Sequence, residues 1–477
     1  MWIRLLFRKR RKLVGRMGGK LKALFAQTDM TVGKPWKQIV IFTIPMLIGN
    51  IAQQLYNTVD SIVVGKYVGD NALAAVGSAS PILNLLLVLF IGISMGTSIM
   101  VSQFFGAKDR EHLSKTIGST ITLTAAASLI IMVFGSVTIR PLLKMLNTPA
   151  SIIDWCTSYL LILIVGIMGV AYYNMFCGIL RGLGDSLSAL IYLLIATVIN
   201  IILDLWFVAG LQMGVAGVAL ATVIAQMVSA VLCFFKLKRM TDVFDLKFQY
   251  LKPDMENIMT ILRLGLPSGI TQAIFSMAMV VVQSLTNSFG EMVIAANVII
   301  MRVDGFAMMP NFSFGTAMTT YSGQNVGAKE IERVHKGAKQ GTVIAAGTSA
   351  VITALILIFG KYLMGIFTNT SELVALSANM MKILAVGYIA MAVTQSLSGV
   401  MRGAGDTMTP MWISIVTTVF IRVPLAYGIA YFTKTPKLPG GRYECIWVSL
   451  LISWVLGAVL TVIFYRIGKW KNKGLES

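Results

Sequence analysis

Acidic residues are scarce in this chain: 20 Asp and Glu stand against 40 Lys and Arg among 477 residues. Histidine is scarcer still, with two, and there are four cysteines, none in a CxxC pair. Charged residues of both signs make up only 13%, about half of the ~25% usual in soluble domains. Each shortage excludes something. Two histidines with no HExxH leave little for a metalloprotease or a Ser/His/Asp enzyme, so no enzymatic role is expected. Isolated cysteines give no disulfide framework and read as small apolar residues. No GK is followed by Ser or Thr, so there is no Walker A loop to bind ATP. Alternating ten-residue segments of a membrane β-barrel are absent too.

What is present is apolar sequence. Hydrophobic residues make up 56% and mean hydropathy is +0.78. Runs of about 20 apolar residues, the length one helix needs to cross the hydrocarbon, recur along the chain. The expected fold is all-α and polytopic. Twelve spans are predicted near 37–64, 75–104, 116–139, 153–180, 187–209, 213–235, 258–286, 293–320, 339–360, 374–400, 409–432 and 445–467. An even number places both termini on one side. Most Lys and Arg fall in the tails and in alternate loops, which the positive-inside rule assigns to the cytoplasm. That accounts for the net charge of +20 without a nucleic-acid partner. The expected location is the plasma membrane, a bacterial inner membrane, with a monomeric chain. The first 30 residues lack the apolar core of a signal peptide and read as a basic cytoplasmic extension.

The chain repeats itself. "RGLGD" at 181–185 returns as "RGAGD" at 402–406. "QFFGAKD" at 103–109 returns as "QNVGAKE" at 324–330, and "VGDNALAA" at 68–75 as "FGEMVIAA" at 289–296. Pro45 matches Pro267. The common spacing of 221–222 residues predicts two parallel six-helix lobes around a central cleft, an alternating-access plan. The expected divisions are a basic extension over 1–35, an N-terminal lobe over 36–235, a cytoplasmic linker over 236–257 and a C-terminal lobe over 258–477. The repeated loops read as tight turns: Arg at a helix C-terminus, Gly in left-handed backbone, Asp opening the next helix.

Charges inside the spans carry most of the functional signal, because one at the bilayer centre costs roughly 2.5–3.5 kcal/mol. Asn200 and Asp204, in "VINIILDLWF", share one helix face. Gln53, Asn57 and Asp60 form a polar stripe on the first span, with Tyr56 beside them. Thr222 lies in the small-residue sixth span. Should these faces converge, two carboxylates, an amide and a hydroxyl meet, which suits a proton site and equally an oxygen cage for Na⁺. At a 221-residue offset, Asn200 and Asp204 correspond to Ile421 and Leu425, and Asp60 to Val281, or to Val282 at an offset of 222. A scaffolding role should recur in both halves, so acids confined to the first suggest ion coupling there. In the second half, "MRVDGFAMMPNFSFGTAM" places Arg302 and Asp304 near the outer end of the eighth span, ion-paired or facing the cleft. The chain holds 29 Met and 23 Phe, which suit varied apolar substrates. Gln53, Tyr56, Asn57, Gln272, Gln283, Asp304 and Met308 are the candidate pathway and substrate contacts.

From about residue 36 onward the chain resembles the multidrug and toxic compound extrusion (MATE) transporters. "IPMLIGNIAQQLYNTVDSIVVGKYVGDNALAAVG", "QFFGAKD" and "RGLGDS" carry the resemblance. It implies two six-helix lobes and export of organic cations and other amphipathic compounds by H⁺ or Na⁺ antiport, with no other cofactor. The DinF-like branch is the nearest pattern. Its N-terminal cation site falls on Asp60, Asn200, Asp204 and Thr222. The seventh- and tenth-span acids of the NorM-like branch are missing; Gln272, Gln283 and Gln395 stand in those spans instead. The alternative is a flippase for a lipid-linked precursor, which calls for a larger and more cationic cleft.

Overall fold

A computed structural model gives the fold and describes residues 28–145, 148–436, 438 and 440–474. Most of the basic extension, residues 1–27, lies outside the described residues. Twelve spans follow one another. They are α1 (Pro35–Tyr67), α2 (Asp70–Gly106), α3 (Arg110–Met145), a broken α4, α5 (Ser186–Gly210) and α6 (Gly214–Lys238), then α7 (Met255–Asn287), α8 (Glu291–Gly327), α9 (Ile331–Gly365), α10 (Ser371–Gly403), α11 (Met408–Phe432) and α12 (Cys445–Ile467). The fourth span, expected as one helix, is a pair, Ile153–Val165 and Ile167–Gly182, bent by 52°. The break falls at Gly166, where Val223 of α6 presses so close that a Cβ would sit 2.3 Å from its Cγ2. The bend thus falls where α4 and α6 approach most tightly at a residue without a side chain.

Local chemistry explains the helix ends. Asp185 accepts hydrogen bonds from Ser188 N–H (2.9 Å) and Oγ (2.7 Å), and Asp406 from Thr409 N–H (3.3 Å) and Oγ1 (2.7 Å). These are the N-caps expected of the repeated Asp, though the partner lies three residues on, as capping requires. Gly184 and Gly405 hold φ of +82° and +95°, as expected of the turns. The GAK loops differ. Their left-handed residues are Lys108 and Lys329, with φ of 57° and 61°.

Their glycines serve another purpose. A Cβ on Gly106 would sit 1.9 Å from the Gln324 carbonyl oxygen, and one on Gly327 1.9 Å from that of Gln103. The two repeats therefore meet face to face across the molecule. Gln103 Nε2 donates to the Gly403 carbonyl (2.8 Å), and Gln324 Nε2 donates to the Gly182 carbonyl (3.0 Å). The same two motifs, QxxGAK and RGxGD, thus clasp each other twice, once in each direction. The cross-half bonds also include Asn50 Nδ2 to Ser313 Oγ (2.9 Å), further along the bundle. The segment before α1 ties the same end: Met30 is fully buried, its N–H bonded to Gln324 Oε1 (2.9 Å) and its carbonyl to Asn325 Nδ2 (3.2 Å) and Arg333 Nη2 (3.1 Å). Thr28 N–H reaches the Gly184 carbonyl of the first half (3.3 Å). One end of the two-lobe bundle is therefore closed by backbone contact, paired glutamines and a strap.

Candidate functional site

Among the described residues, two groups of polar side chains that include carboxylates lie within the spans, one in each half. The first is built by α1, α5 and α6. Asn200 and Asp204 are completely buried on α5. Asp60 of α1 meets Asp204 directly, Tyr56 lies one turn earlier beside both carboxyls, and Thr222 of α6 approaches the Tyr56 hydroxyl. The three faces expected to converge do converge. Tyr159 of α4 stands close to both acids as well; nothing in its spacing marked it.

Most polar atoms of α1, α5 and α6 in this group are unsatisfied. Tyr56 Oη, Asp60 Oδ1, both Asp204 oxygens, Thr222 Oγ1 and both amide atoms of Asn200 are buried without a hydrogen bond of acceptable geometry. Buried polar atoms ordinarily find a partner, and each one left without costs about 1–3 kcal/mol. Here seven such atoms collect at one place, six of them oxygens. A proton shared between the carboxylates, or a hard monovalent cation among the oxygens, meets that need. Histidine, cysteine and acidic residues form no group of three suited to a metal ion among the described residues. The backbone is altered here too. Directly after Asp204 the helix widens, and Leu211 N–H bonds the Trp206 carbonyl five residues back (2.9 Å). Such π-type turns recur at functional sites. Gln53 and Asn57 stand outside the cluster; they bond each other (3.5 Å) along the exposed edge of α1.

The second group lines a cavity of about 420 Å³, built mainly by α7, α8, α10, α11 and α12, with Ile91 and Met95 of α2 closing one side. Gln272, Gln283, Asp304 and Met308 all line it, as does Gln395. Arg302 does not pair with Asp304. Its side chain is exposed, because residues two apart on a helix point in different directions. Asp304 instead accepts a bond from the Tyr388 hydroxyl of α10 (2.9 Å) and faces the guanidinium of Arg422. Arg402, in the repeated RGAGD, also turns into the cavity rather than across its helix end. Trp447 and Trp454 of α12 complete an aromatic wall. Tyr388, Arg402 and both tryptophans escaped the sequence reading, since only the packing of α10 and α12 on α8 brings them here.

The MatE family model matches this chain twice, over residues 45–206 and 267–428. The chain belongs to the MATE family. The two matches coincide with the internal repeat, at an offset of 222 (45 to 267, 206 to 428). Among curated MATE relatives, the chain is 30% identical to a probable multidrug resistance protein, YoeA, of Bacillus subtilis, over 92% of this chain and 95% of that one. It is 24% identical to a probable multidrug resistance protein NorM of Thermotoga maritima, over 92% and 94%. Among solved structures it is similar to a multidrug resistance MATE transporter of the MOP superfamily in its outward-facing conformation. The TM-score there is 0.86, with 25% identity over 93% of this chain and 98% of that one. The chain is accordingly a multi-pass membrane protein with the two-lobe helical MATE fold, from a family of transporters rather than enzymes.

Proposed function

We propose that this protein is a secondary active multidrug efflux antiporter. It exports organic cations and other amphipathic compounds in exchange for H⁺, or for Na⁺, by alternating access. The observation that carries the coupling is the unsatisfied cluster of Asp60, Asn200, Asp204 and Thr222 with Tyr56, on three helices of one half. Two adjacent carboxylates with no cationic partner require a counter-ion or a proton, and one that leaves on each cycle makes the pair a coupling device. A proton crossing the membrane yields about 2.3 kcal/mol per 100 mV. Substrate occupies the C-terminal-lobe cavity, with Gln272, Gln283, Asp304 and Met308 among its contacts, while Gln53 and Asn57 line the approach along α1. The volume, about 420 Å³, lies within the range of small-molecule pockets, which favours the drug reading over the flippase.

The units that rock are lobes 36–235 and 258–477, joined by the 236–257 linker, in a monomer of the plasma membrane. With both termini cytoplasmic, the clasped end faces the cytoplasm and the structure is outward-facing. The deciding experiment is transport by purified protein in proteoliposomes, with H⁺ and Na⁺ gradients imposed separately, against a panel of organic cations and neutral amphiphiles. Uptake driven by either gradient and abolished by its dissipation supports antiport. Flux indifferent to both gradients would refute it.

A further inference from the structure

We propose that the C-terminal-lobe cavity recognises an anionic oxygen group on its substrate, a carboxylate or phosphate carried by an amphipathic body, zwitterions included. The inference deepens the export reading and rests on it only in taking this cavity as the substrate site. Its basis is a charge imbalance. Two guanidiniums, Arg402 and Arg422, line the cavity against one carboxylate, Asp304. Asp304 is already engaged by the Tyr388 hydroxyl at 2.9 Å. Arg422 is 92% buried and makes no ion pair within bonding distance; its Nε has no partner, and neither has that of Arg402.

A buried guanidinium with an idle N–H is expensive to hold in a membrane protein unless something satisfies it. Its planar fork of donors fits a carboxylate or phosphate far better than an ammonium. The two lobes divide the charges: two carboxyls meet in the first half, and two guanidiniums face one carboxylate in the second. Asp304 and the aromatic wall of Trp447 and Trp454 leave room for a positive group on the same ligand.

The test uses full-length protein in phosphatidylcholine nanodiscs and two probes: a xanthylium dye with a free carboxylate, and its ethyl ester. Binding is read from quenching of tryptophan fluorescence. Wild type is expected to bind the free carboxylate about tenfold more tightly than the ester, the range of one charge-assisted bond. Arg422→Gln should bring that ratio to about one by losing the carboxylate alone, and Arg422→Lys should retain part of it. Because the preference is a ratio within one preparation, loss of folded protein cancels. Asp60→Asn, which removes coupling, should keep the ratio, so failure of antiport and failure of this inference are separable. Repeating the titration in phosphatidylglycerol nanodiscs distinguishes sources: competition marks a lipid phosphate as a natural occupant, and its absence marks soluble compounds. An ester bound as tightly as the acid, neither dye bound, or an unchanged ratio in Arg422→Gln overturns the proposal.

Discussion

Asp204 has no exposed surface, its two carboxyl oxygens have no hydrogen bond of acceptable geometry, and the carboxyl of Asp60 lies against it. A residue so placed is a burden on the folded chain unless an ion relieves it. Neutralising it should therefore leave folding intact while removing exchange. Asp60→Asn and Asp204→Asn are each expected to express at wild-type level, melt no lower, and lose drug efflux to the vector background in cells. Efflux persisting in both variants would remove the coupling role. Thr222→Val deletes only one neutral oxygen. It should weaken Na⁺-driven transport several-fold and spare H⁺-driven transport, since a proton needs the carboxylates alone; proteoliposomes with each gradient in turn provide the check.

Among the elements, α2 and α8 matter most for the conformational cycle, because their C-terminal ends are in backbone contact. A side chain at Gly106 or Gly327 would occupy the place of the opposing carbonyl, 1.9 Å from the new Cβ. Forcing extra atoms into packed space costs about 1–3 kcal/mol, which moves a two-state balance by roughly five- to 150-fold. Gly327→Val should accordingly depopulate the clasped state. Spin labels at Glu111→Cys and Glu332→Cys, on exposed positions of the two halves, would report it as a longer distance; the four native cysteines are buried. An unchanged distance distribution would mean that this contact does not hold the lobes. The helix α5 shows a second local device. Its widened turn begins at the residue after Asp204, which places the carboxyl beside an altered stretch of backbone.

On the scale of the whole molecule, the repeated motifs form a pseudo-symmetric lock. Gln103 reaches Gly403 and Gln324 reaches Gly182, so each half contributes one donor and one acceptor. Each bond contributes about 0.5–1.5 kcal/mol, and Gln324 also accepts from Met30 N–H, so Gln103→Ala with Gln324→Ala removes three bonds and should shift the equilibrium away from closure by roughly 1.5–4.5 kcal/mol. The same pair of spin labels measures it. Deleting residues 28–34 removes the buried Met30 and its bonds to Gln324, Asn325 and Arg333. That variant should loosen the same end and leave the first-half ion cluster intact, observable as lowered closure with unchanged Na⁺ or H⁺ affinity.

The sequence alone determined the helices, their number and the duplication, because hydrocarbon permits only apolar helical segments of a certain length, and a copied half keeps its turn residues. It also picked out Asp60, Asn200, Asp204 and Thr222, since ionisable and polar residues inside spans are few enough to read singly. Partnership was another matter. Arg302 and Asp304 read as ion-paired or facing the cleft; Asp304 faces the cavity, and its partners are Tyr388 and Arg422, 84 and 118 residues away. The repeated glutamines looked like parts of local turns, and they bond across the molecule. Helix rotation and lobe packing decide which faces meet. Those depend on side-chain contacts between segments far apart in the chain, to which no local pattern is sensitive.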